Sequence, residues 1–269
     1  EFDLLAESRI PQERRREPRE VLFVGDDILF GTTEGNLVRW QVATGKLMLQ
    51  GVLSGEIVGL GSLPQELSGT RGAAEKDGGS FWAASADADL VLFTGGERAG
   101  STRLDVGERQ VRDVVLAGTG RGVAITKDGG AYRFQLGGNE RRTGLLATHE
   151  IHRSDGEPTG VTMDGDIAVV VGVDKLVHVL DLVNDGELRA LSGSPHPLRD
   201  VAFVPASRAL LTAGNDGWLR VWDRTVAGGG LALRGHLNDV NSLAFSPNGE
   251  RLITGGRDGM VIVWDVARA

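Results

Sequence analysis

An acidic residue followed six positions later by a large apolar one recurs six times along this chain, and no other feature restricts its fold as tightly. The pairs are Glu34 and Trp40, Asp87 and Phe93, Asp128 and Phe134, Asp174 and Leu180, Asp216 and Trp222, and Asp258 and Trp264, at intervals of 41 to 53 residues. A period of this size marks a row of stacked supersecondary units. The spacing has a local cause. A carboxylate in a turn accepts hydrogen bonds from exposed backbone N–H groups. A strand starts two or three residues later, and its alternation sends the apolar side chain to one fixed face.

The last two units are the plainest. Val201-Ala202-Phe203 and Leu243-Ala244-Phe245 open them 42 residues apart, and Trp222-Asp223 and Trp264-Asp265 close them at the same interval. Each unit reads as four short strands. The last unit has Val240–Phe245, Arg251–Thr254 and Met260–Trp264, with Ser246-Pro247-Asn248-Gly249 as its first turn. Fourth strands fall at Lys46–Leu49, Gly144–Ala147, Leu188–Leu191 and Leu231–Arg234. Four strands in roughly 40 residues is the size of one propeller blade. The expected architecture is all-β: one propeller domain over 1–269, with four-stranded antiparallel blades near 20–50, 56–104, 110–147, 158–191, 198–234 and 240–266. Six blades are favoured, and a seventh lost by excision is the competing count. The last unit stops after its third strand. Phe2-Asp3-Leu4-Leu5-Ala6 is expected to supply the fourth, with the rest of 1–19 as connector. A closed ring leaves no strand edge exposed.

At Gly235-His236, Asp258 and Trp264-Asp265 the sequence resembles the WD40 repeat family. The resemblance runs from about Glu20 to Val266. It is clear in two repeats and weaker in the first four, where Trp40-Gln41, Phe93-Thr94 and Phe134-Gln135 lack the closing Asp. It implies a disc of blades around a channel, and a structural hydrogen-bonded set at His236, Thr254, Asp258 and Trp264. A Thr-His-Asp trio also has the composition of a catalytic triad. The Asp and Trp recur as a repeat feature, however, whereas a nucleophile is needed once. The family implies a non-catalytic scaffold that binds proteins or peptides on its face loops, as part of a larger protein or complex.

The face residues carried over from the family precede the turn Asp (Arg257, Asn215, Lys127) or start the first strand (Asn241, Asp239, Arg199, Arg112). Four of these seven are basic and one is acidic. On a chain with net charge −8, such a cluster suits an acidic or phosphorylated peptide. Trp218 occupies a strand start where small polar residues are usual. It reads either as an interface anchor or as packing on the neighbouring strand.

Composition excludes several function classes. There is no cysteine, so neither a disulfide framework nor a thiolate metal site exists, which fits a cytoplasmic or other intracellular setting. A pI near 5.2 argues against non-specific nucleic-acid binding. No apolar run approaches the ~20 residues of a membrane-spanning helix. The chain opens on Glu1, which reads as an excised or processed domain. Oligomeric state is left open. The three arginines of Arg14-Arg15-Arg16 lie among Glu7, Glu13, Glu17 and Glu20 and read as a solvated connector. Residues 65–79, small and polar, read as a loop inserted in the second unit.

No cofactor or metal is expected. His149 and His152 are three apart, not the four that puts two imidazoles on one helix face. Gly118-Thr119-Gly120-Arg121-Gly122 lacks the Lys-Ser/Thr ending of a phosphate loop and reads as a β-turn. Asp26-Asp27 and Asp164-Gly165-Asp166 occupy equivalent inter-strand turns. Two alternatives to a scaffold stay open. A propeller hydrolase would need convergent carboxylates at the channel mouth, and a nucleic-acid platform would show salt-dependent binding.

Overall fold

The computed structural model describes residues 18–24, 26–63, 80–94, 97–117, 119–139, 142–224, 231–246 and 248–266. The expected closing strand at 2–6, the connector through residue 17 and the insertion at 65–79 lie outside the described residues.

Six antiparallel sheets follow one another along the chain, each a meander whose strands pair in sequence order. The first holds β1 (Pro18–Val24), β2 (Asp27–Thr32), β3 (Asn36–Gln41) and β4 (Lys46–Val52). The second holds β5 (Ile57–Ser62), β6 (Phe81–Ser85), β7 (Asp89–Thr94) and β8 (Glu97–Arg103). The third holds β9 (Val111–Leu116), β10 (Arg121–Thr126), β11 (Gly130–Asn139) and β12 (Arg142–Arg153). The fourth holds β13 (Pro158–Asp164), β14 (Ile167–Gly172), β15 (Val177–Asp181) and β16 (Gly186–Leu191). The fifth holds β17 (Leu198–Phe203), β18 (Ala209–Gly214), β19 (Trp218–Asp223) and β20 (Ala232–Arg234). The sixth has three strands among the described residues, β21 (Val240–Phe245), β22 (Arg251–Gly256) and β23 (Val261–Asp265). Six such meanders are the blades of an all-β propeller.

Contacts divide the chain into two compact units, residues 1–122 with 134–148 and residues 123–133 with 149–269, the division running through the third sheet. In the first unit, β5 packs against β1 and β9. Its core gathers Leu29, Leu37, Ile57, Phe81 and Phe93, with the two phenylalanine rings stacked at 4.6 Å. In the second unit, β17 packs against β13 and β21. Its cores hold Val169, Val179, Leu210 and Trp222, and Leu211, Leu219, Val240 and Leu252. The central strands β6, β10, β14 and β18 are buried along most of their length. That explains their near-continuous apolar character, without polar alternation.

Strand β12 is longer than the expected Gly144–Ala147, running on to Arg153. Histidine and glutamate at His149-Glu150-Ile151-His152 mask the continuation in sequence, yet Ile151 is buried and keeps the alternation going. A second recurring irregularity sits at the start of the first strand. Register shifts fall at Leu198/Asp200 and Val240/Ser242, and also at Ile57/Gly59 and Pro158/Gly160. Such bulges leave one residue out of the ladder and re-aim its side chain. In the fifth and sixth sheets those residues are Arg199 and Asn241.

Candidate functional site

The site is built on the turns between the second and third strands, where the six acidic residues lie. The residue after each acid has a left-handed backbone: Gly35, Ala88, Gly129, Lys175, Gly217 and Gly259, with φ from 68° to 100°. Two different chemistries hold these turns. In the first three sheets a hydroxyl two residues before the acid does so. Thr32 Oγ1 accepts the Asn36 N–H at 3.1 Å, Ser85 Oγ accepts the Asp89 N–H at 3.2 Å, and Thr126 Oγ1 donates to Asp128 at 2.6 Å. In the last three, glycine takes that place and the carboxylate itself accepts the N–H two residues on. Asp174 bonds Leu176, Asp216 bonds Trp218 and Asp258 bonds Met260, at 3.1–3.3 Å. A Cβ on Gly214 or Gly256 would lie 2.6 or 2.5 Å from a carboxylate oxygen of Asp216 or Asp258, so only glycine admits the acid there.

Each of those three carboxylates also takes a nitrogen base as partner. Asp174 and Asp216 take it from the strand that follows the turn, four residues on. His178 Nε2 lies 2.7 Å from Asp174, and Arg220 donates both Nη groups to Asp216 at 3.1 and 2.5 Å. Burial by itself would raise the Asp216 carboxyl, but the Arg220 guanidinium and the Trp218 N–H outweigh it and hold the group below its ordinary range. In the sixth sheet the position four residues on is Ile262, and the base comes instead from His236. Its Nδ1–H donates to both Asp258 oxygens at 3.1 Å. Thr254 Oγ1 lies 2.8 Å from His236 Nε2 and accepts the Trp264 indole N–H at 3.0 Å. The bonds therefore run in one direction, Trp264 to Thr254 to His236 to Asp258, with His236 and Thr254 buried. The Leu237 N–H above all, with the Met260 N–H and His236, outweighs the opposing effect of desolvation and holds the Asp258 carboxyl below its ordinary range. The fifth sheet keeps only the inner part of this chain, where Trp222 donates to Thr212 at 2.8 Å.

Four of the eight expected face residues come together. The Arg199 Nε–H donates to Asn215 Oδ1, and Arg199 Nη2 lies 3.6 Å from Asp239. Arg257 Nη1 lies 3.8 Å from the same Asp239 oxygen, while its backbone N–H donates to the Asp239 carbonyl at 2.8 Å. Asn215 is tied down in the same way, to the Pro197 carbonyl at 3.0 Å. The Arg257 side chain is 70% exposed. Asn241 is exposed at its bulge beside this group. Trp218 is half-buried directly opposite Arg234, whose guanidinium lies 5.7 Å from the ring centroid, so the indole packs across its own sheet. Lys127 is exposed in the turn of the third sheet, and Arg112 is half-buried in β9 of the first unit.

Three features escaped the sequence reading. Asp200 lies half-buried in β17, its two oxygens accepting the N–H groups of Val201 and, across to β21, of Leu243, each at 2.8 Å. Burial pushes its carboxyl up to about 6. His152 of β12 stacks obliquely on His178 of β15, ring centroids 4.3 Å apart, with Glu187 of β16 beside both. Burial and the neighbouring His178 lower the His152 imidazole. Burial would also lower His178, but Asp174 and Glu187 outweigh it and raise that group. Finally, an apolar cavity of about 440 Å³ lies between the fifth and sixth sheets, against Leu211, Val221, Leu233, Phe245, Leu252 and Trp264. Residue spacing signals none of these, because each joins strands that are distant in sequence.

The family model for the WD domain, G-beta repeat, matches residues 186–223 and 231–265. Each match runs from an outer strand of one sheet through the third strand of the next, which places Gly235-His236 at the join. No curated protein matches the chain. Among solved structures, the crystal structure of the computationally designed Ika8 protein is similar at a TM-score of 0.66 and 19% identity, over 93% of this chain and 71% of that one. That likeness concerns the fold alone. The two matched stretches show WD40 repeats over residues 186–223 and 231–265, among the last of six consecutive sheets built on one turn geometry.

Proposed function

We propose that this propeller is a protein-interaction platform that docks an acidic or phosphorylated peptide on the loops of its fifth and sixth blades. WD40 propellers commonly mediate protein–protein contacts and are generally non-catalytic scaffolds. The observation that carries the reading is the group Arg199, Asn215, Asp239 and Arg257. One carboxylate stands between two guanidinium groups at 3.6 and 3.8 Å. These separations exceed hydrogen-bond length, so Asp239 orients the arginines electrostatically while their N–H forks keep capacity for a partner. A phosphate or carboxylate matches that fork bidentately. Asn241 adds an amide at the edge.

The test is an array of matched peptides carrying Ser, Glu or phosphoserine, probed with the chain and with Arg199→Glu/Arg257→Glu. Hits are then measured by fluorescence anisotropy. Acidic or phosphorylated members are expected to bind, and the double variant to weaken them on the order of 30-fold, about 2 kcal/mol. Equal binding by wild type and variant would remove this face as the docking site.

A further inference from the structure

We infer that His152, His178 and Glu187 form a binding site for a divalent transition-metal ion of the zinc type, joining the outer strand of the third blade to the fourth blade. One ligand atom from each residue lies within 4.8 Å of the other two. The three come from β12, β15 and β16, so only the folded unit assembles them. His178 Nδ1 lies 2.6 Å from one Glu187 oxygen, and His152 Nδ1 lies 3.9 Å from the other.

Two further observations point to an ion rather than to a chance cluster. First, His152 is nine-tenths buried, and its Nε2 has no hydrogen-bond partner among the described residues. A buried polar atom without a partner is costly, and with Nε2 as the His152 ligand atom an ion resolves that cost. Second, Asp174 Oδ2 lies 2.7 Å from His178 Nε2, on the side of the ring away from Glu187. A carboxylate behind a histidine fixes its tautomer and turns the other nitrogen toward the metal, which is the common outer-sphere arrangement at zinc. In this state His178 Nε2–H donates to Asp174 and Nδ1 is the ligand.

The donor set also fits in charge and number. Two imidazoles and a carboxylate leave a fourth, open position of the tetrahedral ion. Glu187, about one-third exposed, faces that position toward solvent. Asp174 and Glu187 together balance a dication. Tetrahedral coordination at about 2.0–2.1 Å requires ligand atoms a little over 3 Å apart. The His178–Glu187 pair must therefore open slightly and His152 close in, movements within reach of the Glu187 side chain at the strand surface.

The experiment is titration of the EDTA-treated, desalted full chain with zinc chloride by calorimetry. It is repeated with cobalt(II) read by visible absorption, and with thermal melting in the presence and absence of zinc. One ion per chain is expected, together with the intense d–d bands of four-coordinate cobalt and a melting temperature raised by zinc. His152→Gln and Glu187→Gln are expected to weaken binding at least tenfold and abolish the cobalt bands, while His149→Gln leaves both unchanged. Glu187→Gln, at a surface position, keeps the test valid if His152→Gln does not fold. The proposal is overturned by the absence of saturable one-to-one binding, or by binding that survives both ligand substitutions. In that event the cluster is held by its own hydrogen bonds alone.

Discussion

Lys175 and Ala88 stand where four of the six turns have glycine, and both carry positive φ, 70° and 68°. A side chain in this region costs on the order of 1–2 kcal/mol. Part of that returns through the unfolded chain when glycine replaces it. Lys175→Gly is therefore expected to raise stability by a few tenths to about 1 kcal/mol in urea titration. Gly217→Ala moves the other way and further, because its Cβ would also lie 2.6 Å from the His236 carbonyl oxygen. Gly259→Ala, with the same backbone and open space around it, separates strain from collision. If Gly217→Ala and Gly259→Ala cost the same, the close approach has no energetic weight. Asp200 yields a pH prediction. Its folded carboxyl titrates near 6, above the ordinary 3.8, so the folded state holds the proton more tightly than the unfolded chain does. The stability this contributes is complete below about pH 4 and is lost as pH rises through 6, on the order of 3 kcal/mol in all. Asp200→Asn has no such titration. The stability difference between wild type and variant should shift over that window in the variant's favour and be flat above pH 7. A pH-independent difference would refute the burial argument.

At the scale of the element, the chain Trp264, Thr254, His236, Asp258 fastens β22 and β23 to the segment before β21. Thr254→Val keeps the shape of the side chain and removes the hydroxyl at its centre. Buried His236 and half-buried Trp264 then each lose a bond, and a loss of roughly 2–4 kcal/mol is expected by denaturant unfolding. Thr254→Ser should recover most of it, and equal losses in both variants would assign the effect to packing. These elements were largely legible in the sequence. The acid–apolar spacing identified all six turns, since a turn and the strand after it lie within one short window. Sites that join separate elements were not legible. The grouping of Arg199 with Arg257 requires blades five and six to be neighbours. The grouping of His152 with His178 requires β12 to run at least five residues past its apolar stretch. The hydroxyl-based turns of the first three sheets were also missed: their carboxylates occupy the repeat position, while Thr32, Ser85 and Thr126 hold the backbone.

For the whole molecule, five sheets have four strands and the sixth has three among the described residues. Its outer strand β23 exposes Val261, and nearby Met260 is also exposed. A sheet edge of this kind is open to pairing, and the sequence expectation assigns that place to residues 2–6. Deleting residues 1–8 tests it. The truncated chain is expected to lose the single cooperative transition in calorimetry, because blades stabilise one another as neighbours. An unchanged melt would show that the edge is stable as it stands.

The placing of the base beside each turn Asp also bears on how such a chain tolerates rearrangement. In the fourth and fifth blades the acid of the turn and the base on the strand after it lie four residues apart, so either turn is a self-contained cassette that can be grafted, duplicated or permuted with its counter-charge aboard. In the sixth, Asp258 depends on His236, twenty-two residues upstream. A cut between those two residues would deliver a turn without its base, whereas a cut upstream of Gly235 would carry the whole lock across intact.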